Sequence, residues 1–177
     1  FWNTLSHFRS QQMLGGRRHK FRFRNKLLSF DSTTISLCLN LFPWAKFRRA
    51  KGGVKAHVLL DHDDYMPRFV RITPAKQHDV KAARLLDLKP GSIVAMDRAY
   101  NDYSLFARWI EATIYFVTRM KENASYEVVE SYAVPRNRYI LADENIILTG
   151  PQAARKCPHR LRRIVVWDDE NQREIVL

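Results

Sequence analysis

Apolar and polar positions alternate in short runs along much of this chain, and the period changes several times. The segment "KLLSFDSTTISL" (26–37) is β-branched and apolar apart from Asp31, so it predicts a strand with a carboxylate inside it. Before it, "GGRRHKFRFRNK" (15–26) sets Arg and Lys against Phe21 and Phe23 after a Gly-Gly turn, which predicts a strand with one charged face. Residues 1–14 carry a weak helical pattern through Phe1, Leu5 and Phe8. "LFPWAKFRRAKGG" (41–53) reads as a basic loop or short helix, broken by Pro43 and the Gly52-Gly53 pair. "VKAHVLLD" (54–61) and "YMPRFVRITP" (65–74) predict two strands joined as a hairpin through "HDD".

A helical period then appears. "QHDVKAARLLDLKPG" (77–91) predicts a short helix capped by Asp79 and ended by Pro90-Gly91. "SIVAMD" (92–97) predicts a central strand buried on both faces and ending in Asp97. "NDYSLFARWIEAT" (101–113) is the next helix, with Asp102 as cap and Leu105, Phe106, Trp109 and Ile110 turned to the core. "IYFVTRMK" (114–121) predicts another central strand. From about residue 125 the segments "SYEVVESYAV", "RYILADENIILTG" and "RLRRIVVWDDENQREIVL" read as strands and turns with no convincing helix. The order is three strands, helix, strand, helix, strand, then an all-β addition, which places the chain in the mixed-sheet α/β class.

Charge narrows the range of partners. The 177 residues carry 30 Lys+Arg against 18 Asp+Glu, a net charge of +12, and such an excess favours a polyanion, most economically nucleic acid. A merely soluble basic protein would show the same balance. Hydrophobic residues at 46% describe a globular chain, long enough for one domain with a sizeable core. Cys38 and Cys157 stand far apart and suggest neither a disulfide framework nor a zinc motif, so a reducing cytosol is the default expectation. No apolar run approaches the roughly 18–20 residues that span a bilayer, and the opening residues lack a signal-peptide pattern. The chain opens on Phe1 and closes in the apolar run "REIVL", and is read as a fragment of a longer protein.

Two carboxylates stand out against this background. Asp31 lies within the first core strand and Asp97 ends the strand before the capped helix. Sites in α/β folds collect where strand ends leave the sheet. If these two strands are neighbours, the carboxylates converge, and a divalent cation is the natural neutraliser of their repulsion. Two such ions about 3.5–4 Å apart can activate a nucleophile and stabilise a leaving oxygen in phosphodiester chemistry. Taken singly, Asp97 could cap a turn and Asp31 could belong to a misread strand.

At this point the chain resembles the IS4-type insertion-sequence transposases with their DDE domain. The resemblance is carried by "FDSTTI" (30–35), "KAHVLLD" (55–61), "PRFVRITPAKQHDVKAA" (67–83), "AMDRAYNDYSLF" (95–106) and "YFVTRMKENASY" (115–126), in order and with matching spacing from about residue 14 to the C-terminus. It implies an RNase H-like core with a β-rich insertion, divided as a basic lead-in (1–26), a partial catalytic core (27–124) and a truncated insertion (125–177). It implies that Asp31 and Asp97 are the first two members of an acidic triad holding two Mg²⁺ ions, with Mn²⁺ able to substitute. The implied activity is metal-dependent cleavage and strand transfer on DNA, at transposon ends and target, by a homodimer in a synaptic complex of the bacterial cytoplasm and nucleoid.

One departure is plain. The third acid belongs in a helix with the pattern Y-x2-R-x3-E-x6-K, and none is present; Glu170 and Glu174 lie in a strand-and-turn context. The catalytic Glu is expected beyond Leu177. Two classes of function therefore stand side by side: a transposase catalytic core, and an inactive remnant that acts at most as a nonspecific DNA-binding module. A host RNase H-like nuclease is a weaker third.

Other residues have a functional and a bland reading. Arg98 and Tyr100 of "DRAY" could position a phosphate, or pair with a surface acid and pack under the helix. Arg119 and Lys121 could contact DNA, or be a solvated strand end. The run from Arg17 to Lys26, with six Lys/Arg, could track a DNA backbone or be a charged edge strand, and Arg48, Arg49, Lys51, Arg160, Arg162 and Arg163 share that ambiguity. His57 reads as a satisfied core or edge residue, and the "HDD" loop (62–64) as an ordinary polar hairpin connection, not a metal site.

Overall fold

The computed structural model describes residues 22–37, 46–48, 51–135 and 139–177. It is a mixed α/β structure with strand-rich sheets and few helices. The first sheet has the order β2-β3-β1-β5-β6, with β4 also paired to β3. Its strands are β1 (Leu27–Leu37), β2 (Lys46–Arg48), β3 (Lys51–Asp61), β4 (Pro67–Pro74), β5 (Ile93–Met96) and β6 (Tyr115–Thr118). The β1–β3 and β3–β4 pairs are antiparallel, whereas β5 runs parallel to both β1 and β6. Helices α1 (Val80–Ala83) and α2 (Tyr103–Glu111) connect the later strands. The second sheet, β10-β9-β8-β7, is antiparallel throughout and is built from β7 (Tyr126–Ser131), β8 (Ile140–Leu148), β9 (Leu161–Asp168) and β10 (Arg173–Val176). A third helix, α3 (Pro151–Lys156), lies between β8 and β9.

The period-2 pattern decides which face of the first sheet is covered. Leu28 and Phe30 of β1 and Val94 and Met96 of β5 point into the core, against Ala82 and Ala83 of α1 and Leu105, Phe106 and Trp109 of α2. Neighbouring positions Leu27, Ser29, Ile93 and Ala95 face the other way and are half-buried. Leu148 and Cys157, from the second sheet and the end of α3, belong to the same buried cluster as Phe106 and Trp109. The two sheets therefore share one core.

Several expectations need correcting here. Residues 22–26 are not a strand, and the rest of the 15–26 segment lies outside the described residues, as does the 1–14 helix. Residues 46–48 form strand β2, and Gly52-Gly53 sit inside β3 instead of breaking the chain, because β1 supplies them with ladder partners at Leu37 and Ser36. Helix α1 is only one turn, and the Asp79 side chain does not cap it, since Lys55 holds that carboxylate at 2.7 and 2.9 Å. β5 is buried on one face only. β6 is an edge strand of the described sheet, with Tyr115 and Val117 exposed. The β-rich segment contains a short helix, α3, started by Pro151 at its first position. Asp102 caps α2 as expected, accepting from the Leu105 N–H at 3.1 Å. Gly91 turns the chain into β5 at φ 81°, a conformation that favours glycine.

Candidate active site

The parallel register of β1 and β5 brings the two sequence-selected acids together. Leu27 to Phe30 pair in order with Ile93 to Met96, so the next positions on the two strands are Asp31 and Asp97. Adjacent strands lie about 4.8 Å apart, and equal parity puts both side chains on the same face of the sheet, opposite Phe30 and Met96. Both aspartates are exposed.

Each carboxylate is tied at one oxygen and open at the other. Asp31 Oδ1 accepts from the Ser32 N–H at 2.7 Å, and Asp97 Oδ1 accepts from the Arg98 N–H at 2.7 Å. Among the described residues neither carboxylate makes an ion pair. Two oriented carboxylates with free oxygens side by side offer the hard oxygen ligands that Mg²⁺ or Mn²⁺ takes, and the pair fits such an ion. The donor set is small: among the described residues no group of three or more His, Cys, Asp or Glu converges on a metal position.

The residues after Asp97 divide in two directions. Arg98 is exposed and its Nη1 donates to Glu122 Oε1 at 3.0 Å, so the reading in which it pairs with a surface acid is the one seen. Tyr100 is 1% exposed and packs against Phe30 with the rings tilted, their centroids 4.6 Å apart. It lies in the core and not on a DNA-facing surface, because the 3₁₀ turn Arg98–Tyr100 folds it inward. Its hydroxyl is 3.2 Å from His57 Nδ1, and His57 Nε2 is 3.0 Å from the Thr73 hydroxyl. Burial pushes the Tyr100 hydroxyl up to about 12, with a Ser32 hydrogen bond acting against it and Asp79, Asp31 and Asp97 adding to it. Burial also holds His57 below its ordinary value, against the pull of Asp79. His57 is thus a satisfied core histidine, and its bonds join β3 and β4 to the turn that carries Asp97.

Arg119 and Lys121 leave β6 exposed. Lys121 lines an open cleft of about 530 Å³ together with Asp97, Arg98 and Glu122, while the Arg119 carbonyl accepts from Asn101 Nδ2 at 2.9 Å. Glu122 is 90% exposed, and the one sequence signal for it is its place after a strand end in "RMKEN". The candidate basic clusters separate similarly. Arg22, Arg24 and Arg160 are exposed, but Lys26 pairs with Asp61 at 2.7 Å, Arg162 with Asp143 and Arg163 with Glu144 at 2.6 Å. The side chains of Arg48, Arg49 and Lys51, and all of Arg17 to Lys20, lie outside the described residues. In the 62–64 loop, His62 Nε2 lies 2.6 Å from the Ser29 hydroxyl, Asp63 pairs with Lys26, and Asp64 pairs with Arg68 at 3.2 Å, as befits a hairpin connection. Glu170 and Glu174 sit at the β9–β10 end of the second sheet.

Residues 22–164 match the Transposase DDE domain family, a span that contains both aspartates. The chain belongs to the DDE transposase domain family. Two curated relatives agree with this family. One, y4zB of Sinorhizobium fredii, is named as a transposase and is 31% identical over 146 residues, covering 81% of this chain and 41% of that protein. The other, from Geobacillus stearothermophilus, is named as the transposase of insertion sequence element IS5377 and is 29% identical over 159 residues, covering 89% of this chain and 41% of its own length. This DDE chain therefore spans about two fifths of the length of the curated relatives it matches. Among its described residues no helix is long and apolar enough to cross a membrane.

Proposed function

We propose that this chain carries the first two acids of a DNA transposase active site of the IS4 type, on an RNase H-like sheet. Residues 27–124 form the catalytic part and 125–177 a β-rich insertion. The observation that supports this most directly is the β1–β5 register, which sets Asp31 beside Asp97 with a free oxygen on each.

In the reaction, water or a DNA 3′-hydroxyl attacks a backbone phosphorus, a new P–O bond forms, and the P–O bond to the departing strand breaks. Two Mg²⁺ ions, or Mn²⁺ in their place, supply charge neutralisation at the attacking and leaving oxygens when bound. Asp31 and Asp97 would hold them through their open oxygens, and the backbone N–H groups of Ser32 and Arg98 keep the carboxylates oriented. Arg98, Arg119 and Lys121 stand at the same strand ends and can attract the phosphates entering that space. Tyr100 fixes the turn from within. The substrate is DNA, at transposon ends and target; a homodimer in a synaptic complex and a place in the bacterial cytoplasm, with the nucleoid, complete the reading.

Asp31→Asn and Asp97→Asn, made in the full reading frame that encodes this chain, should each reduce Mg²⁺-dependent strand cleavage to background while DNA binding persists. Cleavage at the normal rate by either variant would remove the metal assignment. A second reading is an inactive remnant that keeps the basic surface and acts at most as a nonspecific DNA-binding module. A downstream helix with the Y-x2-R-x3-E-x6-K pattern supports the enzyme, and a stop codon immediately after Leu177 supports the remnant.

A further inference from the structure

Two open clefts meet at the loop after β6. The first is the cleft of about 530 Å³ that contains Asp97, Lys121 and Asn123. The second, about 670 Å³, shares Lys121 and Asn123 and runs on between the start of α2 and helix α3, past Ser125, Gln152 and Lys156. Helix α3 is seated by Ala153, packed on the common core, and by the buried Cys157 at its end. Gln152 and Lys156, four residues apart, are thereby both left exposed on the cleft side.

The charge of this second cleft is one-sided. Neither Lys121 nor Lys156 makes an ion pair among the described residues. Its acid, Asp102, is already bound by Arg84 and by the Leu105 N–H. Two unpaired ammonium groups with neutral amide and hydroxyl groups between them suit a phosphodiester backbone: they offer charge and hydrogen bonds without reading a base edge.

We infer that the second cleft is a backbone-binding track for the DNA strand that leaves the acid pair. The strand passes Lys121 and Asn123, and its next phosphates lie against Lys156, with Gln152 and Ser125 donating hydrogen bonds. This assigns a DNA-holding role to the segment between β8 and β9, and it rests on the transposase reading.

The test is the salt dependence of binding by the chain to a labelled duplex of arbitrary sequence. Lys156→Ala should lower the slope of log K against log salt by about 0.9, the contribution of one phosphate contact. Lys89→Ala changes an exposed lysine at the opposite end of β5 and should leave the slope at the wild-type value. An unchanged slope for Lys156→Ala, with Lys121→Ala still lowering it, would overturn the track while leaving the transposase reading in place. An equal loss for Lys89→Ala would overturn it as well, because only diffuse charge would then be at work. Absence of salt-dependent binding by the wild-type chain would remove the transposase reading, and the track with it.

Discussion

Strand β1 meets an aspartate near each end of its core segment, and the two are treated in opposite ways. Asp61, registered with Leu28, is 0% exposed and receives Lys26, Arg68 and the Asp63 N–H. Asp31 is exposed, accepts among the described residues only from its neighbour's backbone N–H, and lies beside a second aspartate in the same condition. In a chain with a net charge of +12, cations to satisfy Asp31 and Asp97 are plentiful, yet among the described residues none pairs with either. The difference separates a carboxylate that locks the fold from an exposed pair whose second oxygens are open, which is where the proposed cation would bind.

The largest effect should come from attacking the locked end. Asp61→Asn removes the charge that Lys26 and Arg68 share, and the loss should be about 3 kcal/mol in urea unfolding. Asp31→Asn and Asp97→Asn should change stability by only about 0.5 kcal/mol or less, or raise it by relieving repulsion. If Asp31→Asn costs as much as Asp61→Asn, the distinction between the two ends fails.

A smaller effect sharpens the open end. Mn²⁺ at ten times its dissociation constant should stabilise the wild-type chain by about 1.4 kcal/mol in thermal melts, and the gain should vanish in Asp97→Asn. Equal stabilisation of both proteins would place the ion elsewhere.

The smallest change probes the core beneath the pair. Tyr100→Phe leaves His57 Nδ1 without its hydroxyl partner and should cost about 1 kcal/mol. His57 adds a pH signature. Its folded value lies below 6.5, so between 6.5 and that lower value the unfolded chain binds more protons, and stability must fall as pH drops through this window. Unfolding at pH 7.5 and 5.5 should show the fall in the wild type and a reduced one in His57→Gln.

How much of this was legible beforehand varied with the kind of constraint. Strong local signals carried through: the β1 pattern, the β3–β4 hairpin, the Asp102 cap and the apolar side of α2 all appear where the sequence puts them. The approach of Asp31 to Asp97 depends on strand order, which no local pattern contains. Asp79 does not cap its helix because a lysine distant in sequence, Lys55, outcompetes the helix N-terminus for its carboxylate. The Gly52-Gly53 pair does not break the chain because ten registered partners across β1 and β3 outweigh the conformational freedom of two glycines. Tyr100 faced inward because a 3₁₀ turn, which leaves no periodic trace, follows Asp97. The cleft beside α3 joins a loop after β6 to a helix in the far segment, and only tertiary packing could show it.

Leu148 and Cys157 sit among Phe106 and Trp109 in one buried cluster. The second sheet is therefore not an accessory that can be clipped off or exchanged while the first is left whole. Removing it would strip α2 of neighbours on the flank where the chain departs from Asp97, so loss of the outer strands would reach the acids by way of folding before it reached them by way of DNA.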